Sequence, residues 1–261
     1  RNILSFERDY PDAKLVFLEQ NYRSTKTILD VARHVISANR ERKEKNLWTD
    51  NEAGIPVSVA ETYTEQEEAK FVVSEVERLV GEGRCKLGDC AVMYRTNAQS
   101  RAIEEAFIRY GTPYKLVGGT RFYERREVKD VIAYLRLIYN PYDNVSLARI
   151  INVPGRGIGQ RTVEELTRWS KSLGIPLYTT LQLLAEEKGP FSTRPRQALV
   201  NFLTMLNGLI SMSEELNLPK LFDITLEKTG YRGYTLESEG GEDRWENILE
   251  LRTVANEYGE L

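Results

Sequence analysis

The spacing of apolar residues changes once along this chain, at Gly118-Gly119, and that change limits what the chain can fold into. Before it, short apolar runs alternate with amphipathic stretches. Lys14–Leu18, Ile55–Ala60, Ala91–Tyr94 and Tyr114–Val117 read as strands. Between them, helices are predicted from Ser24 or Thr25 to about Asn39, from Glu65 to Leu79 and from Ala98 to Tyr110. Such alternation predicts a parallel sheet wrapped by helices. After the glycine pair the helical period runs on with breaks at Asn140-Pro141, Pro154-Gly155, Gly189-Pro190 and Gly240-Gly241. The expectation is an α/β parallel-sheet domain over residues 1–120, then an all-α helical domain over 121–261. Four strands are few for a doubly wound sheet, so further strands are expected beyond Leu261, with the helical unit inserted into the sheet domain.

Composition removes several classes of function. With 41% hydrophobic and 29% charged residues the chain can build real cores. No apolar run approaches the roughly 18 residues of a membrane span, and the start Arg1–Glu7 has neither a signal-peptide core nor an initiator Met. A soluble chain that begins mid-protein is expected, without a membrane partner. Cys85 and Cys90 are the only cysteines and His34 the only histidine, too few for zinc or a disulfide framework, which favours a reducing cytoplasm. Cys85 lies between Arg84 and Lys86 but has no evident resolving partner, so it reads as a loop thiol, and Cys90 as a buried residue leading into a strand. A net charge of -3 means that any nucleic-acid contact must use local patches.

Three segments could carry chemistry. Gln20-Asn21-Tyr22-Arg23-Ser24-Thr25 falls where a strand ends and a helix begins, a place where helix N–H groups favour anions. There Arg23 can reach a phosphate with its planar fork and Tyr22 offers a face for stacking. A structural ion pair for Arg23 and half-buried packing for Tyr22 explain the same pattern. Arg95, Asn97, Ser100 and Arg101 occupy a second such junction, suited to backbone phosphates, although Asn97 as a plain helix cap competes. Arg156, Gly157, Ile158, Gly159, Arg161 and Thr162 combine glycines, which let backbone approach a phosphate, with flanking charge; a simple turn competes. Arg121, Arg125, Arg126 and Lys129 are interleaved with Glu124, Glu127 and Asp130, so a solvated helix face with i,i+4 pairs is the default explanation, and the cluster is assigned to orienting domains, not to direct ligand contact.

The order of these strings resembles the UvrD/Rep/PcrA group of superfamily 1 DNA helicases. Gln20–Thr25 is similar to motif IV, and Tyr94–Arg101 to the next signature of the second RecA-like domain, 2A. Gly118–Asp130 resembles the start of the helical 2B insertion, Asn152–Gly159 its Gly-Ile-Gly element, and Arg244–Ile248 a late 2B segment. The resemblance implies a partial RecA-like domain 2A followed by a truncated 2B, in an ATP-dependent 3′ to 5′ helicase of DNA repair or replication. It implies ATP and Mg²⁺ as cofactors of the intact protein, none of them bound by this chain alone. Tyr22 would stack on adenine, Arg23 would reach the γ-phosphate as the catalytic group, and Gln20 would complete that wall. Arg95, Asn97, Ser100 and Arg101 would meet single-stranded DNA, and residues 156–162 duplex DNA. Domains 1A and 1B are the implied intramolecular partners, with a repair protein or RNA polymerase as a further one.

A P-loop motor needs Gly-x-x-x-x-Gly-Lys-Ser/Thr for the phosphates and an acidic strand end for Mg²⁺, and this sequence has neither. ATPase and unwinding are therefore not expected of the chain alone. Two alternatives share these domains: a helicase-nuclease of RecB/AddA type, and a non-catalytic interaction module derived from a helicase.

Overall fold

The computed structural model describes residues 6, 9–14, 16–39, 45–186 and 189–259, the last two without their side chains. Residues 1–5 and Leu15, part of the first expected strand, lie outside the described residues. Two compact units divide the chain, Arg1–Thr62 and Tyr63–Leu261.

In the first unit, helix α1 spans Lys26–Ser37, with Thr25 at its N-cap in an extended conformation. Its apolar face is exposed except at Leu29. A single parallel bridge pairs Gln20 with Trp48, through Asn21 N–H to the Trp48 carbonyl at 2.7 Å and Trp48 N–H to the Glu19 carbonyl at 3.0 Å.

That bridge is all that the described residues show of the expected parallel sheet, and the fold class is corrected accordingly: the structure is helical, without a β-ladder. The expected strand Ile55–Ala60 contains Pro56, which has no N–H to donate to a ladder. Its Val57 and Val59 stay exposed, at 50% and 95%. Ala91–Tyr94 and Tyr114–Val117 likewise carry apolar side chains without a paired neighbour strand, and Met93 and Val117 are exposed. Apolar β-branched residues show that a segment suits a pleated surface; a ladder also needs an adjacent strand in register.

The second unit follows the helical period closely. Helix α2 (Glu65–Gly81) starts at Thr64, whose side chain accepts from Glu67 N–H, and packs on α3 (Ser100–Tyr110) through Ala69, Val73, Ala106 and Phe107. Most of the remaining described chain is helix: α4 (Arg126–Tyr139), α5 (Asn144–Ile150), α6 (Gln160–Leu173), α7 (Leu177–Glu186), α8 (Thr193–Ser213), α9 (Leu218–Thr229), α10 (Tyr231–Leu236) and α11 (Gly241–Gly259). Caps set several starts: Asp143 accepts from Val145 and Ser146 N–H before α5, and Asn217 accepts from Lys220 N–H before α9. Val128, Leu137, Leu147, Leu166, Leu206, Phe222 and Ile248, each fully buried, share one core fed by α4 to α11. At about 1.5–3 kcal/mol per buried large aliphatic side chain, this core is what makes short helices such as α5 and α10 hold. No helix among the described residues is long and apolar enough to cross a membrane.

Candidate functional site

The loop before α1 is built from side chains that hold its own backbone. Asn21 Oδ1 accepts from Arg23 N–H at 3.0 Å and Ser24 N–H at 2.8 Å, while Asn51 Nδ2 donates to the carbonyls of Tyr22 and Ser24 at 3.3 and 3.1 Å. Gln20 donates to Asp50 at 3.1 Å and accepts from the Tyr22 phenol at 2.6 Å, so it positions the ring beside the loop. Tyr22 is 79% exposed. Arg23 is exposed, and among the described residues its guanidinium meets no carboxylate and no hydrogen-bond acceptor. The competing ion-pair reading thus has no counterpart among the described residues.

One expectation about this loop is overturned. The first N–H groups of α1 do not face outward to an anion: Lys26 N–H and Thr27 N–H both bond at 3.1 Å to the carbonyls of Glu52 and Ala53. The turn that supplies those carbonyls needs Gly54, at φ +77°, where an added Cβ would meet the Thr25 hydroxyl at 2.6 Å. Those two N–H groups are therefore not offered to an anion, and Arg23 is an exposed cationic side chain of the loop.

At the second junction the four expected residues separate into two pairs. Arg95 and Asn97 are exposed. Gln99 Oε1 accepts from Arg95 N–H at 2.8 Å and Thr96 N–H at 3.1 Å, so the turn into α3 is closed by Gln99, with Thr96 rather than Asn97 at the N-cap. Ser100 and Arg101 point inward instead. Ser100 Oγ donates to Glu104 at 2.7 Å and accepts from Arg125 at 2.8 Å. Arg101, 1% exposed, reaches Glu250 at 2.5 Å, Glu65 at 2.8 Å, Glu105 at 3.0 Å and Glu257 at 3.8 Å. Burial works against its charge, but the Glu250 hydrogen bond and the surrounding carboxylates outweigh it and hold its pKa above the ordinary value.

Arg125, read in the sequence only as one of a basic cluster, lies behind Asn97. Buried, it donates to the Asn97 carbonyl at 2.9 Å and to Asn247 Oδ1 at 2.7 Å, while Asn247 Nδ2 donates to Glu127 at 2.6 Å. It fixes the backbone that presents Asn97 and ties it to α11. The alternation of acids and bases over residues 121–130 was the available signal, read as orientation. Asp130 closes a related cluster: Arg149 lies at 2.7 Å and the Tyr231 hydroxyl at 2.9 Å, and burial pushes its carboxyl above the usual range.

The third segment is a turn anchored from inside. Asn152 Oδ1 accepts from Arg156 N–H at 2.7 Å and Ile158 N–H at 3.1 Å, and Ile158 is buried. The Arg156 guanidinium also turns inward, to the carbonyls of Ile150 and Pro154 at 3.2 and 3.1 Å and to the Tyr134 hydroxyl at 2.6 Å, over the Phe202 ring. Burial pushes the Tyr134 phenol up to about 12 against the pull of Arg156, so it stays a neutral donor, here to the Val153 carbonyl. Outward lie Gly157, at φ +74°, Gly159 at the N-cap of α6, and Arg161. A Cβ at either glycine would meet nothing within 4 Å, so the backbone is open to a large partner. The first turn of α6 has no acidic residue, Thr162 is half-buried there, and the helix dipole adds positive potential.

Among the described residues no group of three His, Cys, Asp or Glu side chains is placed to hold a metal ion.

Comparison with known proteins finds relatives that cover the whole of this chain. A "DNA helicase PcrA", ATP-dependent by its name, from Staphylococcus aureus strain Mu50 is 45% identical over 265 residues, covering 100% of this chain and 36% of that protein. One of the same name from Staphylococcus epidermidis is 43% identical over 262 residues with the same coverage. The chain thus spans little more than a third of the length of these relatives. The family described as "UvrD-like helicase C-terminal domain" matches residues 16–260, nearly the whole sequence, and the chain belongs to that family.

Proposed function

We propose that this chain forms one wall of the nucleotide site of an ATP-driven DNA helicase, together with the part that grips DNA. The observation that carries this reading is the state of Arg23: an exposed guanidinium without a partner among the described residues, on a loop held rigid by Asn21 and Asn51. The 45% identity to proteins named for ATP-dependent DNA unwinding supports it.

The residues fit ATP as a wall and not as a cradle. Tyr22 offers an exposed ring with its hydroxyl held by Gln20, which suits an adenine face. Arg23 suits a phosphate, and its fixed charge would stabilise the negative charge that spreads over a phosphoryl group during transfer. ATP, when bound, supplies the free energy of hydrolysis. The phosphate loop and the ligands of Mg²⁺ would come from other domains, since this sequence has no such loop and no metal-binding group of side chains gathers among the described residues.

For DNA, Arg95 and Asn97 are the exposed pair for single-strand phosphates, with Ser100, Arg101 and Arg125 behind them as the scaffold. Gly157, Gly159, Arg161 and Thr162 are the set for the duplex backbone, with Ile158 and Arg156 as internal anchors. Contacts of this kind position DNA without reading its sequence.

The test is Arg23→Ala in a polypeptide that carries the complete motor. DNA-stimulated ATP turnover should fall on the order of 10³-fold, with nucleotide affinity changed only a few-fold. Turnover within a few-fold of the parent would refute the reading.

A further inference from the structure

Sequence spacing alone leaves the two cysteines without a partner; the structure brings them together. Cys85 Sγ and Cys90 Sγ lie 3.5 Å apart, both half-exposed, with either atom able to donate to the other. The intervening turn, Leu87–Asp89, is locked by its own bonds: Lys86 N–H to Asp89 Oδ2 at 2.9 Å, Asp89 N–H to the Lys86 carbonyl at 3.0 Å, and Cys90 N–H to the Leu87 carbonyl at 3.2 Å. Cys90 Sγ also points at the Lys86 carbonyl, 3.8 Å away. The two sulfurs are thus held in contact by backbone geometry, and no third thiol, imidazole or carboxylate completes a metal site among the described residues.

We propose that Cys85 and Cys90 form an oxidation site that hydrogen peroxide converts to an intramolecular disulfide. One thiol loses its proton and the thiolate attacks a peroxide oxygen; the O–O bond breaks, hydroxide leaves and takes up that proton as water, and the sulfur becomes a sulfenic acid. The second thiolate attacks the sulfenic sulfur, the S–S bond forms, and hydroxide departs to take up a proton. Two thiols and one peroxide give one disulfide and two waters, so atoms and electrons balance.

Half-exposure admits a molecule as small as peroxide, and contact between the sulfurs makes the second step intramolecular. A disulfide has an S–S distance of about 2.05 Å, so closure needs the sulfurs to approach by about 1.5 Å. Hydrogen bonding to Cys90, then partial burial, holds the Cys85 thiol above its ordinary pKa, so its thiolate fraction and the oxidation rate should rise as the pH is raised. None of this depends on the nucleotide or DNA reading.

The test treats the purified chain with hydrogen peroxide and follows intact mass and non-reducing peptide maps. The chain should lose two hydrogens in mass and yield a peptide linking Cys85 to Cys90, reversed by dithiothreitol. Cys85→Ser and Cys90→Ser should instead accumulate sulfenic acid, trapped by dimedone, or dimers through the remaining thiol. Asp89→Ala, which removes a bond of the turn but no sulfur, should slow ring closure about tenfold, as should concentrated urea. Oxygen addition to both sulfurs of the unmutated chain, or closure equally fast in urea and in Asp89→Ala, would overturn the proposal.

Discussion

The loop before α1 and the junction before α3 carry the same residue type in opposite circumstances. Arg23 is exposed and unpaired among the described residues, while Arg101 is buried among four carboxylates contributed by α2, α3 and α11. The Gly155–Thr162 turn repeats the contrast within a few residues, with Arg156 inside and Arg161 outside. A guanidinium has five donors in a rigid fork; when protein acceptors fill them it is scaffold, and when they are empty it can bind an anion. Position in a motif does not distinguish these cases.

Substitutions can break or sharpen that contrast. The largest effect on stability is expected for Arg101→Ala, which leaves Glu65, Glu105, Glu250 and Glu257 facing one another. A loss of about 3 kcal/mol is expected, at the lower end for a broken buried pair because the carboxylates are partly exposed. Urea unfolding measures it, and a loss below about 1 kcal/mol would mean that the cluster is not a scaffold.

Gly157→Asp comes next. It places a side chain at φ +74° and a negative charge where a phosphate would sit, and should weaken binding to a duplex junction about tenfold or more while single-strand binding changes little. Equal losses on the two DNAs would argue against a duplex role.

Removing a cap should cost less. Asp143→Ala deletes the acceptor for Val145 and Ser146 N–H and should cost about 1 kcal/mol near neutral pH. The Ser146 hydroxyl, then the Ser146 N–H, hold the Asp143 carboxyl below its ordinary pKa. A lowered native pKa stabilises above the unfolded value of about 3.9 and is lost as pH falls through the native one, so the gap between parent and variant should close in that acidic window. A gap independent of pH would contradict the assignment.

The smallest expected effect completes the contrast. Arg23→Ala should change unfolding free energy by less than about 0.5 kcal/mol, because no partner among the described residues loses a bond. A destabilisation as large as that of Arg101→Ala would show that Arg23 is structural.

Much of the local structure was legible in advance. The spacing of Val128, Val131 and Leu137 suits α4, Arg126–Tyr139, and of the two N-cap residues offered for α1, Ser24 or Thr25, it is Thr25 that holds the position, without a side-chain capping bond. Helices depend on contacts three and four residues apart, so a sequence displays them directly. The short α10 is not legible in that way: Tyr231–Leu236 contains Gly233 and holds through tertiary contacts of Tyr231. The expected sheet failed for the complementary reason, since ladders depend on distant segments and Pro56 interrupts one of them.

The sites divide in the same way. Glycines at 157 and 159, the tyrosine at 22 and the guanidinium at 23 are properties of residue type and of a few neighbours, and their order along the chain was enough to place it in its family. Which arginines remain free was decided only in three dimensions. The acceptors of Arg101 and Arg125 lie as far as 149 and 122 residues away, and the contact between Cys85 and Cys90 depends on a turn locked by Asp89. Hydrogen-bonding capacity is written in a side chain, but whether it is filled depends on which distant atoms folding brings within reach.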